Sequence, residues 1–297
     1  MIELTDEILA QVKRLDVRAR RLVDGAFAGA YESVFRGRGI DFAEVRPYAM
    51  GDDIRTIDWN VTARLDEPYV KRHVEERELT VMLLVDVSAS GRFGTTGRQK
   101  AQVAAEIAAV LTLSALRNND KVGLLLFTDE VERYLPPRKG RDRALRLILE
   151  LLTFEPRRTG TDVARALEYA NRVLRRHAVT FVISDFIARD YERAVRVSHQ
   201  RHEVVPVCIH DPRELELPSA GLVALRDLET GFELLVDSGD WQVRERFRQR
   251  ATAEQTRRRS FFRSLGLDSV DVRTDRPYFG PLMQFFRRRA FRLQQGR

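Results

Sequence analysis

The sequence predicts an α/β protein built on a doubly wound, mostly parallel sheet, with a helical and strand extension before it and helices after it. Three observations carry this prediction. Val81–Val85, Val122–Phe127, Thr180–Ile183 and Val204–Ile209 are short, nearly unbroken apolar runs, as expected of strands buried on both faces. Stretches of helical periodicity separate most of them, which is the pattern of strand–helix–strand crossovers. Two of the runs lead into aspartate, Asp86 and Asp185, at the strand ends where open α/β sheets bind their ligands.

In chain order, Leu4–Leu22 reads as a helix, with Ile8, Val12, Leu15, Ala19 and Leu22 at three- and four-residue steps. The glycine-marked stretch Gly37-Arg38-Gly39 and mixed residues follow to about Arg64, and Pro68–Val74 alternates as an edge strand does. After Asp86, Arg98–Arg117 reads as a helix with Val103, Ile107, Val110, Leu111 and Leu113 inward. Val131–Leu135 is expected as a short strand beside Val122–Phe127. Helices are expected at Asp142–Leu152, Asp162–Arg176 and Tyr191–His199. Leu222–Leu225 and Phe232–Val236 flank Glu229-Thr230-Gly231 as a hairpin. An arginine-rich helix from Trp241 to Leu265, a strand at Val270–Val272 and a helix at Pro281–Arg292 complete the chain. The boundaries drawn from this pattern are 1–77 for the extension, 78–265 for the α/β domain and 266–297 for a basic C-terminal segment.

With 297 residues and 43% apolar content, the chain can bury a substantial core, and a disordered or collagen-like reading fails. No apolar stretch reaches the roughly 18 residues of a membrane span; the nearest, Ala104–Leu116, is broken by Glu106. Ile2, Glu3, Asp6 and Glu7 are the wrong chemistry for a signal peptide. A single cysteine, Cys208, excludes an intramolecular disulfide. Together these features predict a cytoplasmic protein. The net charge of +7 is concentrated beyond Trp241, where 15 arginines face 5 acids. Clusters such as Arg257–Arg259 and Arg287–Arg289 are candidates for nucleic acid, anionic lipid or an acidic protein, or for a solvated helix face. No nucleic-acid module organises this charge, so nucleic-acid binding is the weaker expectation.

The loop after the first buried strand reads Asp86-Val87-Ser88-Ala89-Ser90, a carboxylate and two hydroxyls at steps of two. Thr161 lies before a predicted helix, and Asp185 follows another strand. All five are hard oxygen donors, which suits Mg²⁺ or Mn²⁺. Without imidazole or thiolate they make a poor zinc site. Structural readings compete residue by residue: an Asx turn at Asp86, and helix caps at Thr161 and Asp185. A phosphoryl-accepting Asp86 is a further alternative, although Ser88 stands where phosphatases of the haloacid dehalogenase type usually carry a second aspartate.

Asp86-x-Ser88-x-Ser90, Thr161 and Asp185 together resemble the metal-ion-dependent adhesion site of von Willebrand factor A domains. The resemblance implies that Ser88, Ser90 and Thr161 approach the metal directly or through water. Asp86 and Asp185 would act largely through water and hydrogen bonds, and a partner's Asp or Glu would complete the coordination. Ser184 replaces a threonine common in relatives. Gly37–Phe42, Arg46-Pro47-Tyr48, Gly51–Trp59, Ala63-Arg64 and the hairpin at Asp227–Asp237 resemble the signature of the bacterial domain-of-unknown-function 58 family. That resemblance implies a non-enzymatic protein-interaction module, an adaptor or cofactor for a MoxR-type AAA+ ATPase in protein remodelling or complex maturation. Asp52, Asp53 and Asp58 among Arg46, Arg55 and Arg64 read first as a charge-paired corner. The alternative is a docking surface anchored by Arg55 and Trp59.

Overall fold

The computed structural model describes residues 30, 31, 34, 44–54, 57–65, 67–72 and 79–295. The predicted helix at Leu4–Leu22, the Gly37–Gly39 stretch and Arg55 lie outside them. The first elements are β1 (Glu44–Pro47), α1 (Trp59–Leu65) and β2 (Tyr69–Arg72). β1 and β2 pair antiparallel as a separate two-stranded sheet.

The α/β unit begins with β3 (Thr80–Asp86) and continues through α2 (Lys100–Arg117), β4 (Lys121–Phe127), β5 (Val131–Arg138), α3 (Arg141–Thr153) and α4 (Val163–Val173). It runs on through β6 (Val179–Ser184), α5 (Glu192–Arg201), β7 (Glu203–His210) and α6 (Pro212–Leu215). After the hairpin β8 (Leu222–Arg226) and β9 (Glu233–Asp237) come α7 (Trp241–Ser264), β10 (Val270–Arg273) and α8 (Phe279–Gln295). Six strands form the central sheet in the order β10-β7-β6-β3-β4-β5. All its pairings are parallel except β4 with β5. The predicted doubly wound, mostly parallel sheet is therefore present.

The apolar runs are unbroken because both faces of the sheet are covered. Along β3, Val81, Leu83 and Val85 face the core made with α2, α3 and α8. Met82 and Leu84 face the opposite core, made with α4, α5 and the end of α7. Val81 to Leu84 are fully buried, and each such side chain stabilises the fold by about 1.5–3 kcal/mol. β3 is thus a rigid platform for whatever stands on its end. α2 is buried over most of its length, which explains its weakly amphipathic, alanine-rich sequence.

Of the segment 266–297, set apart from sequence as basic, residues 266–295 contribute to this same unit. β10 is the sheet's edge strand beside β7, and Leu282, Met283, Phe285 and Phe286 of α8 lie in the core. The basic clusters are also partly committed to the fold. Arg259 pairs with Asp271 at 3.0 Å, Arg257 with Glu254 at 3.0 Å, and Arg289 with Glu203. Arg258 is only 8% exposed. Among the described residues, no helix is long and apolar enough to cross a membrane.

Candidate cation and partner-binding site

From β3 the chain steps outward to β4 and β5, then returns to β6 on the other side of β3. Strand order reverses at this point, and open α/β sheets place their ligand crevices beyond such reversals. Val85 is in register with Ile183, so Asp86 and Ser184 end adjacent strands. The Ser184 hydroxyl donates to Asp86 Oδ2 at 2.6 Å. Asp86 Oδ1 accepts the Ser88 amide at 3.0 Å, the Asx turn that the local sequence allows. Both Asp86 oxygens are therefore engaged, and the loop leads into a 3-10 turn at Ala89–Arg92.

That turn brings the hydroxyls together. Ser88 and Ser90 Oγ lie 3.1 Å apart, and Ser90 donates to Asp185 Oδ2 at 2.8 Å. The Ala89 amide donates to the Thr159 carbonyl at 2.9 Å, which holds the loop before α4 against the β3 loop. Thr161 is not the cap of α4; Asp162 is, accepting the Arg165 amide at 2.8 Å. This leaves the Thr161 hydroxyl for the site. Asp185 does not cap α5 either, since Tyr191 occupies the N-cap position. Its Oδ1 accepts the Ile187 amide at 3.0 Å. Asp86, Ser88, Ser90 and Asp185 are thus joined at one sheet edge, and the loop that carries Thr161 is held against them.

Four further residues join them that the sequence reading did not single out. Lys100, the first residue of α2, is 3% exposed and donates to Asp185 Oδ2 at 2.6 Å. It also pairs with Glu214 of α6. Glu229, at the tip of the β8–β9 hairpin, accepts the Thr161 hydroxyl at 2.7 Å. Arg258 of α7 donates to the Asp185 carbonyl at 2.6 Å. A charged residue opening a buried apolar helix was a usable signal for Lys100. Glu214 sits in the single-turn helix α6 and Glu229 in a hairpin turn, both too short for periodicity, and the acceptor of Arg258 is a backbone atom, which leaves no trace in the letters.

The electrostatics divide the two aspartates. Burial, reinforced by the charge of Asp185, pushes the Asp86 carboxyl up to about 7 against the hydrogen bonds from Ser184 and Ser88. Burial also acts upward on Asp185, but the Lys100 ammonium with its hydrogen bond, helped by Ile187 and Ser90, outweighs it and the net shift is downward. Burial likewise opposes the charge on Lys100, yet Asp185 and Glu214 hold its pKa above the ordinary value. Glu214 is shifted upward, because its burial outweighs the same ammonium. Lys100 is thus the counter-ion of Asp185 before it is that of Glu214. Burial raises Glu229 as well, against the Thr161 hydrogen bond.

The Gly94–Gly97 loop is tied down. Asp211 accepts the Thr95 amide at 3.0 Å and the Thr95 hydroxyl at 2.6 Å, and also the Thr274 hydroxyl at 2.6 Å. In the signature segment, Arg46 pairs with Asp52 at 2.6 Å. Asp58 is buried while Trp59 on α1 is exposed.

Among the described residues, no group of three or more His, Cys, Asp and Glu side chains is placed to hold a metal. Any cation at this edge would therefore rest largely on hydroxyl oxygens. The set suits a small hard cation and not zinc.

The sequence matches the family described as "Protein of unknown function DUF58" over residues 44–257. The chain belongs to the DUF58 family. Uncharacterized proteins of Mycobacterium tuberculosis and Mycobacterium bovis are each 31% identical to this DUF58 chain over 284 residues, covering 94% of it and 89% of their own length. Among solved structures it is similar to the conserved hypothetical protein BatB from Bacteroides thetaiotaomicron. Identity there is 16%, coverage 72% of this chain and 99% of that one, and the TM-score 0.45. The SpRpn10 VWA domain is similar at 13% identity, with 69% and 94% coverage and a TM-score of 0.37.

Proposed function

We propose that this DUF58 chain is a cation-dependent protein-interaction module, an adaptor through which a MoxR-type AAA+ ATPase acts on a protein client. The observation that carries the reading is the convergence of Ser88, Ser90 and Thr161, from two separate loops, beside two carboxylates at the reversal point of the sheet. The ATPase is implied by the family resemblance.

The residues present fit Mg²⁺ or Mn²⁺. Asp86 accepts the Ser88 amide and Asp185 the Ser90 hydroxyl, while the Lys100 ammonium is shared between Asp185 and Glu214. A divalent cation would add positive charge beside these carboxylates, of which Asp86 is raised by burial first and by the charge of Asp185 second. The hydroxyls of Ser88, Ser90 and Thr161 would hold the ion, and Asp86 and Asp185 would orient those hydroxyls from behind. Once bound, the cation would supply a charged position able to take a partner's carboxylate.

The chain's own groups are arranged to hold rather than to react. Asp86 is buried and spends both oxygens on Ser88 and Ser184, which supports an orienting role over that of a phosphoryl-accepting nucleophile. The buried β3 platform fixes the loop, so partner selection rests on preformed geometry. Trp59, exposed on α1, is a candidate anchor for the ATPase, with Arg55 beside it in sequence. The test is capture of a purified MoxR-type ATPase by the immobilised chain in Mg²⁺ and in excess chelator. Capture should fall at least tenfold in chelator, and equally in Thr161→Ala. Equal capture under all three conditions would refute the reading.

A further inference from the structure

The β8–β9 hairpin stands apart from the central sheet and buries little of itself. Leu222, Phe232, Leu234 and Leu235 are all exposed. Its tip, by contrast, is tightly built. Asp227 accepts the Glu229 amide at 2.9 Å and the Thr230 hydroxyl at 2.6 Å. Gly231 closes the turn with φ +73°, a backbone conformation that glycine adopts without strain. This rigid tip reaches the site at two points. Thr159 Oγ1 donates to the Glu229 carbonyl at 3.0 Å, and Thr161 Oγ1 donates to the Glu229 carboxylate at 2.7 Å. A hydroxyl assigned above to the cation thus already meets a carboxylate of the same chain.

We propose that Glu229 is the chain's own carboxylate for the cation position, and that the hairpin is a latch which a partner's carboxylate must displace. The proposal rests on the cation-site reading and deepens it. The Thr161 hydroxyl and the Glu229 carboxylate, held 2.7 Å apart, are oxygens that one cation could contact together. A hard divalent cation gathers carboxylate and hydroxyl oxygens together. With few apolar contacts holding the hairpin, its docking depends on the polar contacts at its tip, and such an element opens at low cost. A partner offering Asp or Glu would compete with Glu229 for one coordination position and would release the hairpin tip from the site.

The test uses the full chain, Mn²⁺ as probe, and the variants Glu229→Gln and Glu229→Ala. Gln keeps an oxygen for the Thr161 hydroxyl but removes the charge, so it separates ligation from folding. Three quantities are read: Mn²⁺ affinity by calorimetry, water on bound Mn²⁺ by proton relaxation, and hydrogen exchange of residues 222–237. In the parent, Mn²⁺ should slow exchange across the hairpin. Glu229→Gln should bind Mn²⁺ about tenfold more weakly, carry additional bound water, and lose that protection. Acetate should displace the additional water in both variants and leave the parent unchanged. Identical affinity, hydration and protection in parent and Glu229→Gln would overturn the latch and leave the cation site standing. A deficit confined to Glu229→Ala would make Glu229 a structural staple and would also overturn it. A parent chain that binds no Mn²⁺ would overturn both readings.

Discussion

Lys100 is the residue on which the site's charge balance turns. Its ammonium lies in a buried position between Asp185 and Glu214, and both carboxylates depend on it. Removing one partner of a buried ion pair strands the other, at a cost of about 3–5 kcal/mol. Lys100→Met is therefore expected to lower unfolding stability by about that amount, measured by urea denaturation. A loss below about 1 kcal/mol would mean that solvent reaches the pair. Asp86, Ser88, Ser90 and Asp185 were legible from sequence because they follow buried apolar strands, and Thr161 because it precedes a helix. The partners of Lys100, Glu214, Glu229 and Arg258 were not, because each is defined by a contact 68 or more residues away. Such contacts exist only once the sheet has set the loops side by side.

The elements of the sheet were legible for the same reason that they are stable. An unbroken apolar run such as Val81–Val85 is tolerated only where both faces are covered, and two apolar cores cover them. The short elements were less readable. α6 is a single turn closed by a capping box between Asp211 and Glu214, and α1 spans only seven residues, too few for periodicity to register. The end of the chain was misleading in a different way. Arg287, Arg288 and Arg289 advertise a basic tail, but the same helix carries Phe285 and Phe286 into the core against Tyr31 and Phe181. Phe285→Ala should therefore cost about 3–5 kcal/mol, read from the midpoint of chemical denaturation. An independent tail would show almost no change.

At the scale of the whole molecule, two apolar layers clamp a sheet whose carboxyl edge is left for polar work. One layer holds α2 and α8 and the other holds α4, α5 and the end of α7. Each layer sends one charged side chain to Asp185: Lys100 reaches its carboxylate from α2, and Arg258 reaches its carbonyl from α7. The hairpin adds Glu229 from outside the sheet. The fold thus brings hydroxyls and carboxylates together at this edge, which is where the proposed divalent cation would sit. Calorimetric titration of the full chain with Mg²⁺, together with the unfolding temperature, tests this most directly. One ion per chain should bind and raise Tm, and Asp86→Ala should abolish both effects while still unfolding in one cooperative transition. An absence of Mg²⁺ binding by the parent chain, or undiminished binding by Asp86→Ala, would contradict the account.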